Sequence, residues 1–275
     1  MDNLTIGFIG GGNMARSLIG GMLAAGHPAE RICVADPDPD TRERLQQEAG
    51  ICTFADNQAV VERCDVVVLA VKPQVLRAVA TALEPASRPG QLFLTVAAGI
   101  RTDSLSRWLG SETAIVRAMP NTPALVQAGA SALYATPRVS GAQREAAESI
   151  LRAVGLVQWV DDEDLMDVVT ALSGSGPAYL FLVMEAMERA AVDLGLPRET
   201  ARLLTVQTAF GAAKLALEIE EDPAVLRENV TSPGGTTEAA LRVLREGGLE
   251  DLFERAITAA RDRAVELAEQ LGGEA

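Results

Sequence analysis

Residues 4–15 read LTIGFIGGGNMA, and this stretch decides the fold class. A short apolar run is followed by three glycines, Gly10–Gly12, and then by a helical pattern, which is the G-x-G-x-x-A fingerprint of a dinucleotide-binding unit. Gly10 allows a tight turn, Gly12 leaves room for a diphosphate, and Ala15 lets the helix pack close to the strand. The helix N-terminus attracts the diphosphate through its unpaired N–H groups. A glycine-rich turn in an unrelated α/β protein is the alternative.

Strand-like runs alternate with helical patterns after this fingerprint, as in crossover units of a mostly parallel sheet. The predicted strands are Leu4–Ile9, Ile32–Ala35, Val66–Val71, Leu92–Val96, Ala114–Ala118, Ala130–Tyr134 and Leu156–Val160. We therefore expect an α/β fold in which residues 1–160 form a Rossmann-type dinucleotide-binding domain.

Only helical patterns follow the acidic stretch Asp161–Asp164. The predicted helices are Leu165–Leu172, Pro177–Leu194, Arg198–Ile219, Pro223–Asn229, Thr236–Arg245 and Leu249–Leu271. Residues 161–275 are thus expected to form an all-α domain for dimerisation and substrate binding. The stretch Ala178–Leu194 is apolar around most of its circumference, which favours coverage by a second copy of the chain over burial within one chain.

The composition argues against nucleic-acid and membrane partners. The chain has 275 residues and a formal net charge of −14, and no stripe of Lys and Arg overrides this acidic balance. No leader is recognisable before the first strand, and the most apolar run, Tyr179–Met184, is far shorter than a membrane span. We expect a cytoplasmic protein.

The cysteines and the single histidine do not suggest a metal site. Cys33, Cys52 and Cys64 match the spacing of neither a disulfide framework nor a metal knuckle, so we expect small buried or surface thiols. His27 stands between Gly26 and Pro28, which predicts an exposed loop residue. One imidazole is also too few for a histidine-rich metal site.

Asp36 ends the second predicted strand, where a carboxylate normally binds the adenosine ribose and repels a 2′-phosphate. That position argues for NADH. Arg42 and Arg44 follow closely, however, and either reaches a phosphate if the loop folds back. Asp36 also fits a residue that merely opens a turn before Pro37. The sequence leaves the choice between NADPH and NADH open.

Five further motifs follow the fingerprint in order: VKPQ at 71–74, AAGI at 97–100, RAMPNTP at 117–123, SGSGPAY at 173–179 and VTSPGGTT at 230–237. In this order and spacing they closely resemble those of the pyrroline-5-carboxylate reductases, which complete proline biosynthesis. The resemblance runs from Ile6 to about Glu269. It implies a homodimer, or a larger assembly of dimers, with each active site between a nucleotide domain and the helices of the dimer.

The resemblance also implies the site residues, position by position. Those implied for the cofactor are Ile9, Gly10, Gly11, Gly12, Asn13, Met14, Asp36, Asn57, Val71, Lys72, Ala98 and Asn229. Those implied for the imino acid are Glu163, Ser232, Thr236 and Thr237, to which the loop itself adds Gly234 and Gly235 as candidates. In many members a hydroxyl residue that serves NADPH stands at the position of Asp36, so the acidic side chain departs from that pattern.

The expected substrate is a five-membered ring with one C=N bond and one carboxylate. Gly234 and Gly235 free the backbone to turn N–H groups toward the carboxylate, and the helix beginning near Thr236 adds its positive end. An ordinary helix-start loop capped by Thr is the alternative. Thr237 is the candidate catalytic residue, because its hydroxyl can hydrogen-bond the imine nitrogen, although an alcohol is a weak acid.

Three other interpretations compete with this one. Lys72 could be a catalytic acid, but we favour a backbone contact with the cofactor and a solvated ammonium group. A related imine or β-hydroxy-acid reductase would share the two domains, yet the hydroxy-acid enzymes use a lysine that Tyr179–Leu194 lacks. A non-catalytic dinucleotide-binding regulator would have no use for the loop at 230–237. For Ser173–Pro177 we expect a tight turn between two interface helices.

Overall fold

The computed structural model describes residues 4–273. They contain an eight-stranded sheet with the order β3-β2-β1-β4-β5-β6-β7-β8. Its strands are β1 (Ile6–Ile9), β2 (Ile32–Ala35), β3 (Cys52–Phe54), β4 (Val66–Leu69), β5 (Leu92–Thr95), β6 (Ala114–Met119), β7 (Gly129–Ala135) and β8 (Gly155–Trp159). Neighbouring strands are parallel except for β6 and β7, which confirms the expected mostly parallel sheet.

Strand order reverses between β1 and β4, and in open parallel sheets ligands bind in the crevice beyond the carboxyl ends of such strands. Every predicted strand is present, but β3 was missed. It has only three residues and lies at the sheet edge, so it offers too few positions for an alternating pattern. The first strand starts at Ile6 rather than Leu4, and the fourth ends at Leu69 rather than Val71.

Helices cover both faces of this sheet. They are α1 (Asn13–Ala24), α2 (Pro39–Ala49), α3 (Asn57–Val61), α4 (Pro73–Leu83), α5 (Thr102–Leu109) and α6 (Gly141–Arg152). One apolar core contains residues of α1, α2 and α6, and the other contains residues of α3, α4 and α5. Alternate strand residues enter opposite cores, as Phe8 and Ile9 do.

The rest of the described chain is helical, as expected. It comprises α7 (Leu165–Val169), α8 (Gly176–Asp193), α9 (Arg198–Glu218), α10 (Pro223–Asn229), α11 (Thr236–Glu246) and α12 (Leu249–Gly272). The tight turn expected at Ser173–Pro177 is wrong, because a π-helical turn, Thr170–Gly174, leads almost directly into α8. A β-carbon on Gly174 would lie 2.4 Å from Met119 Cε, so this glycine does permit close packing.

The chain divides into two compact units at a different place from the expected boundary after residue 160. The sheet unit comprises the residues up to Ser175 and those from Ala259 onward, and the helical unit comprises Gly176–Thr258. Helix α7 belongs to the sheet unit because Arg117 of β6 pairs with Glu163 and Asp167. The end of α12 also belongs there, since Arg107 donates to the Gly272 carbonyl.

Helix α8 leaves its apolar side chains largely uncovered in the single chain. Phe181 is 63% exposed and Leu182 66% exposed, and none of its residues is buried. By length and composition alone, the helical stretch Leu165–Asp193 is apolar enough to cross a membrane, the one such stretch in residues 4–273. The expectation that the apolar run ends at Met184 was therefore too narrow. A helix that packs against another subunit has the same composition.

Candidate active site

The glycine turn lies at the carboxyl end of β1, and its first two glycines are closely packed against the rest of the protein. Gly10 has φ +97°, and a β-carbon there would lie 2.8 Å from the carbonyl oxygen of Ala70. A β-carbon on Gly11 would lie 2.7 Å from Leu45 Cδ1. The backbone excludes a larger residue at Gly10, whereas at Gly11 the side chains of Leu45 and Thr41 would have to shift.

Gly12 differs from its neighbours because nothing in the protein requires it to be glycine. Its backbone has φ −70° and ψ −173°, which any residue adopts, and no protein atom lies within 4 Å of an added β-carbon. It is the N-cap of α1, and no side chain caps that helix. The missing side chain therefore opens space directly at a helix N-terminus, where unpaired N–H groups and the helix dipole bind phosphate groups.

Asp36 has the turn-opening role considered for it, and its carboxylate also contacts the glycine turn. Its Oδ1 accepts a hydrogen bond from the Asp38 N–H (2.9 Å), which is the expected turn before the next helix. Its Oδ2 accepts from the Gly11 N–H (2.7 Å), so the carboxylate also touches the glycine turn. Arg42 donates through Nη1 to the carbonyl oxygens of Asp36 and Pro37 at 2.7 and 2.9 Å. An acid and a guanidinium thus flank the position expected for the ribose.

The other cofactor residues expected in the sheet unit lie after strands or at helix starts. Val71 and Lys72 follow β4, and Lys72 is the exposed N-cap of α4. Ala98 follows β5, and Asn57 is the first residue of α3, a helix that the sequence did not predict. Ile9 ends β1, while Asn13 and Met14 begin α1. The exposed position of Lys72 agrees with a solvated ammonium group.

Glu163 was expected at the imino acid, and its carboxylate already has partners inside the sheet unit. Its Oε1 accepts from the Thr102 N–H (2.8 Å) and from Arg117 Nη1 (3.1 Å). Its Oε2 accepts from the Thr102 hydroxyl (2.6 Å). Arg117 is 2% exposed, and its second nitrogen pairs with buried Asp167 at 3.1 Å. Glu163 thus belongs to a buried ionic network that fixes α7 against β6 and α5.

Sequence reasoning missed the partners of this network. Arg117 begins the RAMPNTP motif, which predicts no role for it, although a charge in the strand AIVRAM signals a buried ion pair. No local pattern marks Thr102 or Asp167 as its companions. Asn121, from the same motif, was also unassigned. Its Nδ2 donates to the Ser173 carbonyl (3.0 Å) and its Oδ1 accepts from the Ala130 N–H (2.9 Å), which ties the π-helical turn to β7.

In the helical unit, the loop before α11 differs from the expectation in its hydrogen bonds. The Gly234 N–H donates to Glu238 Oε2 (2.8 Å) and the Gly235 N–H donates to the Ser232 carbonyl (3.0 Å). Both N–H groups thus have partners in the loop or at the start of α11, and the partner of the Gly234 N–H is itself a carboxylate, that of Glu238. Gly234 has φ +70°, so glycine is needed there for the turn.

The start of α11 is nevertheless suited to an anion. Gly235 is its N-cap, and no side chain caps the helix. The alternative expectation of a helix capped by Thr is therefore wrong. Thr236 and Thr237 occupy the first two helical positions, where backbone N–H groups have no partner within the helix. Asn229, expected at the cofactor, ends α10 and donates through Nδ2 to Glu221 (3.2 Å).

Comparison with known proteins identifies the family of this chain. A family model for pyrroline-5-carboxylate reductase dimerisation matches residues 163–267, and one for coenzyme F420-dependent NADP oxidoreductases matches residues 5–99. A pyrroline-5-carboxylate reductase of Pseudomonas aeruginosa is 54% identical over 99% of this chain and 100% of its own length.

Two solved structures of pyrroline carboxylate reductases are also similar to this chain. A pyrroline-5-carboxylate reductase from Coxiella burnetii has a TM-score of 0.94 and 50% identity, covering 96% of this chain and 98% of its own. The pyrroline carboxylate reductase of Plasmodium falciparum, solved with NADP bound, has a TM-score of 0.86 and 28% identity over 98% and 99% of the two chains. With its sheet unit, its glycine turn and its helical unit, the chain belongs to the pyrroline-5-carboxylate reductase family.

Proposed function

We propose that this chain reduces the C=N bond of 1-pyrroline-5-carboxylate with hydride from NADPH or NADH and releases L-proline. Within the structure, the observation that carries the proposal is the open space at Gly12, beside a helix N-terminus without a side-chain cap. It fits a diphosphate, and family membership supplies the reaction.

The residues present fit a nicotinamide dinucleotide. Gly10 and Gly11 hold the turn, Gly12 leaves room, and the first turn of α1 offers N–H groups to the diphosphate. Asp36 accepts hydrogen bonds from ribose hydroxyls, while Val71, Lys72 and Ala98 offer backbone groups beyond β4 and β5. The further cofactor residues in this proposal are Ile9, Asn13, Met14, Asn57 and Asn229. The bound cofactor supplies the hydride for C5 of the ring.

The chain's own residues then bind and orient the imino acid. The first-turn N–H groups of α11 receive the ring carboxylate, together with the Ser232 and Thr236 hydroxyls. The Thr237 hydroxyl hydrogen-bonds the ring nitrogen and fixes the face that C5 presents. Gly234 and Gly235 shape the loop. Because an imine can bind already protonated from water, Thr237 need not act as a strong acid.

Glu163 contributes through its position in this proposal. Its carboxylate is held by Arg117 and Thr102, which fixes α7 against the sheet unit.

The protein acts as a homo-oligomer, which the dimerisation family model supports, with small-molecule partners only. The exposed apolar face of α8 then packs against a second copy rather than against lipid, and the net charge of −14 disfavours nucleic acid. A cytoplasmic location is part of this proposal. Light scattering without detergent should show at least a dimer at micromolar concentration, and a stable monomer would refute this assembly.

The proposal is tested by following nicotinamide absorbance with 1-pyrroline-5-carboxylate and each nucleotide separately. We expect substrate-dependent oxidation with at least one nucleotide. Oxidation of β-hydroxy acids instead would favour the related dehydrogenases, and nucleotide binding without any turnover would favour a regulator.

A further inference from the structure

The fold brings together three cysteines that lie far apart in the sequence. Gly7 of β1 is the register partner of Cys33 in β2, and Cys33 is the partner of Cys52 in β3. Register partners in parallel strands point to the same face of a sheet. A β-carbon on Gly7 would lie 2.7 Å from Cys64 Sγ, so the sulfur of Cys64 lies over Gly7, beside the side chain of Val60. The thiols therefore form a row across one face, in the order Cys64, Cys33, Cys52.

This row runs from the core to the surface. Cys64 is 0% exposed and Cys33 is 5% exposed, and both belong to the core beneath α3 and α4. Cys52 is exposed and lies on the edge strand β3. Adjacent strands lie about 4.8 Å apart, within the roughly 4.4–6.8 Å that separates the Cα atoms of disulfide-bonded cysteines. All three are free thiols, so Cys33 and Cys52 form a reduced pair in place for a disulfide.

The neighbours of Cys33 make it the nucleophile of the row. A hydrogen bond from Cys64 is the largest influence on the Cys33 thiol and lowers its pKa to about 7, with smaller help from Cys52 and Arg63 against the opposing effect of burial. The pKa of Cys64 is raised by that same hydrogen bond and by burial. Cys64 is thus the hydrogen-bond donor of the pair, and the lowered pKa of Cys33 favours its thiolate, which is the reactive form.

We propose that Cys33 and Cys52 are a peroxide-oxidation site that closes a reversible intrachain disulfide between β2 and β3. The Cys33 thiolate attacks one oxygen of hydrogen peroxide, the O–O bond breaks, and the leaving hydroxide takes a proton to become water. The Cys52 sulfur then attacks the sulfenic acid on Cys33, its thiol proton is released, and the S–O bond breaks with loss of a second water. Two thiols are oxidised and one peroxide is reduced to two waters.

The test uses the reduced full-length protein treated with hydrogen peroxide, followed by thiol counting in denaturant and peptide mapping. We expect the three free thiols to fall to one, a linked peptide pair containing Cys33 and Cys52, and full recovery with dithiothreitol. Cys52→Ser should form no disulfide and should leave a sulfenic acid on Cys33 that dimedone traps. Cys64→Ala should give the same Cys33–Cys52 link, but more slowly near neutral pH, because the hydrogen bond that lowers the pKa of Cys33 is gone.

Several outcomes would overturn the assignment. Three thiols that survive peroxide would show that the row is inert. A link between Cys33 and Cys64, or loss of all disulfide in Cys64→Ala even at a pH high enough to ionise Cys33, would show that the wrong pair was assigned. A covalent dimer on a non-reducing gel would show that oxidation joins subunits rather than neighbouring strands.

Discussion

Replacing Gly12 by alanine should separate cofactor binding from folding. No protein atom lies within 4 Å of the new methyl group, and φ −70° with ψ −173° suits alanine. Alanine is a poorer N-cap than glycine, which destabilises the folded protein by up to about 1 kcal/mol. Alanine also restricts the unfolded chain, which stabilises the folded protein by roughly 0.4–1 kcal/mol. The free energy of unfolding should therefore change by less than about 1 kcal/mol.

The effect on nucleotide affinity should be far larger. The methyl group occupies the space proposed for the diphosphate and moves it away from the first-turn N–H groups of α1. Losing two hydrogen bonds to a charged group costs about 3–6 kcal/mol, which weakens binding roughly 10²–10⁴-fold. Titration of NADPH and NADH by fluorescence, alongside thermal unfolding, measures both quantities on the same sample.

Gly20→Ala is the matched control. Gly20 lies in the same helix, is exposed, and also has no atom within 4 Å of an added β-carbon. It should gain up to about 1 kcal/mol of stability, with nucleotide affinity unchanged. Gly10→Ala, with φ +97° and a carbonyl at 2.8 Å, should instead lose stability. Affinity of Gly12→Ala within roughly tenfold of the parent protein would refute the reasoning, since tenfold is only about 1.4 kcal/mol.

The remaining predictions concern the ribose, the ring nitrogen and the buried network. Asp36→Ser should shift the preference toward NADPH by about tenfold or more, because it removes a carboxylate that opposes a 2′-phosphate. Asp36→Asn should shift the preference in the same direction when KM is measured with both nucleotides, and no shift in either variant would exclude a role of Asp36 in nucleotide choice. Thr237→Ala should lower kcat/KM for the imino acid about 10–100-fold with nucleotide affinity intact, whereas Thr237→Ser keeps activity; equal loss of both would mean that Thr237 is misassigned. Arg117→Met leaves two buried carboxylates unpaired and should cost about 3–5 kcal/mol in urea unfolding. Arg138→Met, which breaks an exposed pair with Glu112, should cost at most about 1 kcal/mol, and similar losses in both would count against the network.

Much of the fold follows from local patterns in the sequence. The turn at Gly10–Gly12 and the apolar strands after it predict a parallel sheet, because each of these apolar runs is long enough to be recognised as a buried strand. The edge strand β3 and the five-residue helix α3 are too short to do so. The division after Ser175 depends on Arg117 reaching Glu163 and Asp167 across more than forty residues, which no local pattern encodes.

The candidate site shows the same limit. The places of Gly12 and Asp36 were predictable, because Gly12 belongs to the glycine fingerprint and Asp36 directly follows the second strand. The hydrogen bonds of Gly234 and Gly235 were not, since they depend on how the loop closes onto Glu238 and Ser232. His27 was expected to be exposed but is buried, at 6% exposure. Likewise, the row of cysteines exists only because β1, β2 and β3 pair in one register.

Transfer of a labelled hydrogen tests the central claim most directly. NADPH and NADH carrying deuterium on one face or the other of nicotinamide C4 are incubated with 1-pyrroline-5-carboxylate, and the product is analysed by mass spectrometry and NMR. We predict proline with deuterium at C5 from one of the two labelled faces only. Consumption of nucleotide without labelled proline from either face, or no proline at all, would contradict direct hydride delivery to the C=N bond.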